Sequence, residues 1–220
     1  VQKGIKNFLK QKNQNVKKKN METKINPSLV KELREATGAG MMSCKKALQE
    51  TEGNYNEAVK LLRQKGLAFA DKKVGRQTCE GLIGCYIHTG SKLGVLYEIN
   101  CETDFVARRP EFQEFAKNIG MQIAACPTVA YISINDIPNE VIEIEKSIES
   151  NKEDLNSKPE EIKTKIISDR INKILKTRSL LDQPFIKDTT QTVENVMKQL
   201  ITITGENIKI TRFVKFQLGG

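Results

Sequence analysis

Asn100-Cys101-Glu102-Thr103-Asp104-Phe105-Val106-Ala107-Arg108 follows an alternating apolar run and precedes a helical one, so it reads as a strand-to-helix junction carrying a carboxylate and a bulky aromatic. Two readings are open. In one, Thr103 or Asp104 caps the coming helix through its side-chain oxygen, and Phe105 drops into the core beside that cap. In the other, Phe105 and Asp104 stand out from the junction as a wedge and a charge aimed at another protein.

Upstream, Leu82 to His88 and Leu93 to Ile99 are joined by Thr89-Gly90-Ser91-Lys92. Apolar residues at period two (Ile83, Cys85, Ile87; Leu93, Val95, Tyr97, Ile99) around a Gly-containing turn predict a β-hairpin. Downstream, Pro110 starts a helix with Phe112, Phe115, Ala116, Ile119 and Ile123 at helical spacing, ending near Cys126-Pro127. Its stripe should pack on one face of the hairpin. Ile132 to Ile137 reads as short and extended. Pro138 then introduces a helix through Val141, Ile144 and Ile148, and a second carries Ile162, Ile166, Ile167, Ile171 and Ile174. Two polar helices joined by a turn predict an antiparallel helical hairpin projecting from the body. Leu180, Leu181, Pro184 and Phe185 return the chain to the core. Val193 to Ile203 forms a last helix, and Ile208 to Phe216 a third strand at the edge or centre of the sheet.

Before the hairpin, Asn26-Pro27 opens a helix with Leu29, Val30, Leu33 and Ala36 on one face, closed by Gly38. Met41, Cys44, Ala47 and Leu48 mark a second. Asn54 and Glu57, at capping-box spacing, open a third that runs until Gly66. Each helix is buryable only against the other two. Met41 and Met42 are adjacent and cannot both face one core, so either Met41 lies in the core and Met42 is idle, or at least one is exposed as a soft contact surface. The predicted organisation is a basic tail over 1–24, a three-helix domain over 25–67, a linker over 68–78 and a core over 79–220 with its helical hairpin at about 138–178. The fold class is α+β, with a three-stranded antiparallel sheet in the core.

The formal charge of +9 suggests nucleic acid until it is divided along the chain. Seven lysines and no acid lie within residues 1–20, which leaves +2 for the other 200. The body has no basic stripe with interleaved aromatics, so no specific nucleic-acid reading is assigned. No apolar run approaches the roughly 18 residues of a membrane span. Five scattered cysteines without a C-x-x-C pair, beside the single His88, argue against a zinc site and suit a reducing compartment. No phosphate-binding loop, nucleophile elbow or histidine cluster is present, so no cofactor, catalytic residue or metal ligand is assigned. What remains is a protein that acts by touching another protein.

Three co-linear segments carry a resemblance: Leu29 to Leu48, Asn100 to Ala107 and Thr211 to Phe216. Together they resemble the elongation factor Ts family, in its compact cyanobacterial and plastid form. The resemblance implies a ubiquitin-associated-like (UBA-like) N-terminal domain and an α+β core of dimerisation type. It implies guanine nucleotide exchange on elongation factor Tu, without bond-making chemistry. Thr103, Asp104, Phe105 and Val106 inherit the role of disturbing the partner's magnesium site. Leu33, Arg34, Met41 and Met42 inherit contacts to the partner's GTPase domain. Gln122 stands where bacterial members often carry a partner-contacting histidine, and the helical hairpin matches the family's coiled-coil protrusion. Richness in Lys, Asn and Ile fits an organelle genome and a plastid stroma, with bacterial cytoplasm or mitochondrial matrix as alternatives. Rival readings are a free-standing ubiquitin-like binding module and a ribosome- or RNA-associated protein drawn by the lysine tail.

Overall fold

Local capping starts the first helix where its sequence signal lies. Asn26 Oδ1 accepts the Ser28 N–H at 3.1 Å, Pro27 takes the first helical position, and Gly38 closes the helix at φ 66°. A computed structural model describes residues 25–155 and 159–219, so the expectation for the tail over 1–24 lies outside it. The chain divides into two units between Ala68 and Phe69.

The first unit holds α1 (Pro27–Thr37), α2 (Met41–Glu50) and most of α3 (Tyr55–Asp71). Leu33, Cys44, Ala47, Leu48 and Ala58 are fully buried at its centre. Asn54 Oδ1 accepts the Glu57 N–H at 3.2 Å and so caps α3. That helix runs five residues past Gly66, the predicted end. A glycine inside a helix costs only about 1 kcal/mol, and Ala68 and Ala70 on either side of Phe69 are strong helix formers.

In the second unit β1 (Glu80–Ile87), β2 (Leu93–Cys101) and β5 (Ile208–Gln217) form an antiparallel sheet in the order β1-β2-β5. The predicted third strand thus lies at an edge. Between β2 and β5 the chain forms the short helix α4 (Asp104–Ala107), α5 (Pro110–Ala125), α6 (Asn139–Ser150), α7 (Glu160–Arg178), a ribbon of β3 (Pro184–Phe185) and β4 (Asp188–Thr192), and α8 (Val193–Thr204). The ribbon carries no sequence signal that foretold it.

Phe112, Phe115, Ile119 and Ile123 of α5 pack on the sheet face presented by Val95, Tyr97 and Ile99. Gly84 and Gly120 let the Tyr97 ring fit, since a Cβ on Gly84 would lie 2.4 Å from Tyr97 Cζ and one on Gly120 2.6 Å from Cε1. Gly84 is the cross-strand partner of Tyr97 and shares its inward face. Period two then turns Ile83, Cys85 and Ile87 outward. The apolar row that marks β1 as a strand is therefore exposed, beside Leu96, Val214 and Phe216. Arg212, which interrupts the apolar side of β5, donates across the strands to Glu98 at 2.6 Å.

Ile132 to Ile137 is not a strand. Ser133 donates both its N–H and its hydroxyl to Asp136 Oδ2 at 2.8 Å, which winds Ile134–Asp136 into a 3-10 turn. Beyond it, α6 and α7 run antiparallel, with Arg178 paired to Glu145 and Arg170 to Glu149 and Asp154. Ile137, Ile171 and Leu175 form a small apolar cluster between them and the turn. Thr192 Oγ1 caps α8 by accepting from the Asn195 N–H at 3.2 Å, and Gly205 at φ 78° ends it. Lys215 Nζ donates to the carbonyls of Cys126, Pro127 and Val129, at 3.2, 2.9 and 2.6 Å, tying β5 to the end of α5.

Candidate functional site

The junction leaves the sheet at Cys101, whose fully buried thiol donates to Thr103 O at 3.1 Å. Burial, then the nearby Glu206 carboxylate, push that thiol up to about 11, so it stays protonated at neutral pH and serves packing rather than reaction. Glu102 accepts the Asn207 N–H at 2.7 Å and pairs with Arg76 at 3.0 Å. The Asn207 amide hydrogen bond comes first, and Arg76 second, among the causes that hold the Glu102 carboxyl below its usual range.

Thr103 is extended at φ −130° and ψ 155°, and its side chain does not cap α4. Its N–H and hydroxyl both donate to Glu206, at 3.0 and 2.7 Å. One turn of helix follows, at about 100° per residue. Val106 and Ala107 take the inward arc, in the core that includes Cys101 and Phe112, which leaves Asp104 and Phe105 on the outer arc. Phe105 is 78% exposed. The reading that buries this ring beside a cap is thereby excluded. Asp104 accepts from Arg108 at 2.7 Å on the outside, and Gln113 Nε2 donates to Ala107 O at 2.6 Å, holding the far end of the turn.

The other expected site residues separate by burial. In the first unit Arg34 is exposed, and Met41 and Met42 are 46% and 67% exposed, which overturns the reading with Met41 in the core. Leu33 is fully buried among Val30, Cys44 and Leu48, so it supports that surface from beneath rather than forming it. Gln122, in the second unit, is 1% exposed, and its amide is satisfied internally. Its Nε2 donates to Pro184 O at 3.1 Å and its Oε1 accepts the Ile186 N–H at 2.7 Å, fastening the β3–β4 ribbon to α5. A partner contact through Gln122 does not fit these surroundings. Glu206 and Asn207 are residues that sequence reading missed. A Glu-Asn pair after a helix-ending glycine is too common a local pattern to single them out.

Among the described residues no group of three or more His, Cys, Asp or Glu could hold a metal ion. No helix among them is long and apolar enough to cross a membrane. The site is an exposed ring on a turn held from behind by carboxylates, geometry suited to contact with another protein rather than to bond-making chemistry.

A family model for elongation factor Ts matches residues 3–220. The chain is 59% identical over 199 residues to the chloroplastic elongation factor Ts of Guillardia theta, covering 90% of this chain and 91% of that protein. It is 57% identical over 195 residues to elongation factor Ts of Rippkaea orientalis (89% of this chain, 78% of that protein). Against the factor of Synechocystis the identity is 56% over 195 residues, covering 89% of each. The chain belongs to the elongation factor Ts family. It is a translation elongation factor of protein biosynthesis, a nucleotide exchange factor rather than a bond-making enzyme.

Proposed function

We propose that this chain is the guanine nucleotide exchange factor of elongation factor Tu, and that the turn Thr103-Asp104-Phe105-Val106 is the part that loosens the partner's Mg2+ and GDP. The observation that carries this is the exposed Phe105 ring on a turn whose next two residues are anchored in the core. An exposed ring on a turn whose neighbours are fixed in the core is a preorganised apolar anchor of the kind that fills a pocket at the centre of an interface. With 78% of the ring's surface exposed, covering it contributes a gross gain of about 1–2 kcal/mol, before the costs of association are subtracted.

Bound nucleotide leaves slowly because the metal ties its phosphate oxygens to the protein. Phe105 inserts between partner helices, and Asp104 disturbs the hydrogen bonds that orient the magnesium ligands. Val106 anchors the turn and Thr103 fixes its start. By linkage, nucleotide weakens binding of the exchange factor by the same factor as the factor weakens nucleotide.

Arg34, Met41 and Met42, exposed on the three-helix unit, form the contact to the GTPase domain. The domain organisation is a tail over 1–24, a UBA-like domain over 25–67 and a core over 79–220 whose helical hairpin is the family's protrusion, while the predicted linker over 68–78 begins inside α3, which runs to Asp71. The chloroplastic relative supports the plastid stroma as its compartment.

Release of mant-GDP from elongation factor Tu tests the proposal. Phe105→Ala and Asp104→Ala should each slow stimulated release by about tenfold or more, with an unchanged circular dichroism spectrum. Wild-type rates in both variants would remove the role given to the turn.

A further inference from the structure

We infer that Glu206, far along the sequence but adjacent in the fold, is a positioning residue for the exchange turn, acting through Thr103; this rests on the exchange reading above. The β2–β5 backbone ladder ends at the pair Cys101 and Ile208. Past that pair the two chains are joined by crossed carboxylates. Glu206 accepts from the Thr103 N–H and hydroxyl at 3.0 and 2.7 Å, and Glu102 accepts from the Asn207 N–H at 2.7 Å. Asn207 Nδ2 completes the brace by donating to Arg76 O at 2.8 Å. Hydrogen bonds to an ionised acceptor are about twice as strong as neutral ones, and these start two residues before Phe105.

The brace fixes the start of the turn. A threonine at the start of a helix ordinarily turns its oxygen onto the first free N–H groups of that helix. Glu206 takes both Thr103 donors and holds the residue extended, with no bond from its side chain to α4. Without Glu206 the Thr103 N–H and hydroxyl lose their shared acceptor, the start of the turn is no longer fixed, and Asp104 and Phe105 shift with it. The hydrogen bonds of Glu206 go to Thr103, so its effect on exchange passes through the start of the turn.

The test is a double-mutant cycle on mant-GDP release, with amide exchange as a second readout. Glu206→Ala should lower the saturating release rate about tenfold while the half-saturating concentration changes little, and it should speed hydrogen exchange at the Thr103 amide. Glu206→Gln, which keeps an accepting oxygen, should recover most of the rate. In a background carrying both Phe105→Ala and Asp104→Ala, Glu206→Ala should add almost nothing, because all three changes act through one turn. A folded Glu206→Ala protein with wild-type release, or a loss that adds fully to that of the Phe105→Ala, Asp104→Ala protein, overturns the inference. If Phe105→Ala itself leaves release unchanged, the exchange reading fails and the positioning role falls with it. If Phe105→Ala slows release and Glu206→Ala does not, the positioning role alone fails.

Discussion

Replacing Gly120 by alanine sets two effects of opposite sign against each other. In the middle of α5 an alanine should gain about 1 kcal/mol over glycine through backbone entropy. Its new methyl would lie 2.6 Å from Tyr97 Cε1 and 3.0 Å from Tyr86 Cβ. The Tyr97 ring is 5% exposed and cannot retreat, because its other side already meets the bare backbone of Gly84. Overpacking of that kind costs about 1–3 kcal/mol, so the packing term should win by about 1–2 kcal/mol at its upper range. For a chain of this length that lowers the melting midpoint by roughly 3–6 °C, to be read by circular dichroism and by urea denaturation. Gly120→Ala should be less harmful in a Tyr97→Leu background, where the ring is gone, and stimulated GDP release below the transition should be unaffected. A Gly120→Ala protein more stable than wild type would refute the reasoning, because it would mean that the ring moves aside cheaply.

The outward row of β1 makes a second stability prediction: Ile83→Ser should change unfolding free energy by no more than about 0.5 kcal/mol, whereas Ile99→Ala on the buried row should cost about 2–5. Equal costs in urea titrations would reject the strand orientation described. Thiol titration of the native protein at pH 8 should label Cys79 and Cys85 quickly and leave Cys44 and Cys101 silent until denaturant is added, since the first two are exposed and the others buried. Rapid reaction at Cys101 would contradict its sealed position behind the turn. Glu102 has a folded pKa below its unfolded value of about 4.3, so its contribution to stability is present above that pH and is lost as pH falls through the lower folded value. Melting midpoints should therefore drop below about pH 4.5, and less steeply in Glu102→Gln; identical slopes would exclude this carboxylate as a source.

Much of the framework is written locally. Asn26-Pro27 and Gly38 bound α1, Asn54 opens α3, and the period-two runs on each side of Gly90 make the hairpin, because each signal acts within a few residues of itself. The same kind of signal failed at Ile132 to Ile137, where the Ser133–Asp136 bonds outweighed an apolar run too short to pair as a strand.

Orientation is another matter. Periodicity says which residues share a face but not which face meets the core, and on β1 the fit of Tyr97 against Gly84 settled that in favour of the less apolar row. Leu33 and Gln122 went inside for a comparable reason: neighbouring elements closed over them, while Met41, Met42 and Arg34 were left outside. At the turn itself, composition allowed Thr103 to cap and Phe105 to be buried. Glu206, 103 positions further along the chain, claimed both Thr103 donors, and the inward pull of Val106 and Ala107 put the ring in solvent. A hydrogen bond between residues so distant has no periodic trace in a sequence, because it exists only once the ends of β2 and β5 lie side by side.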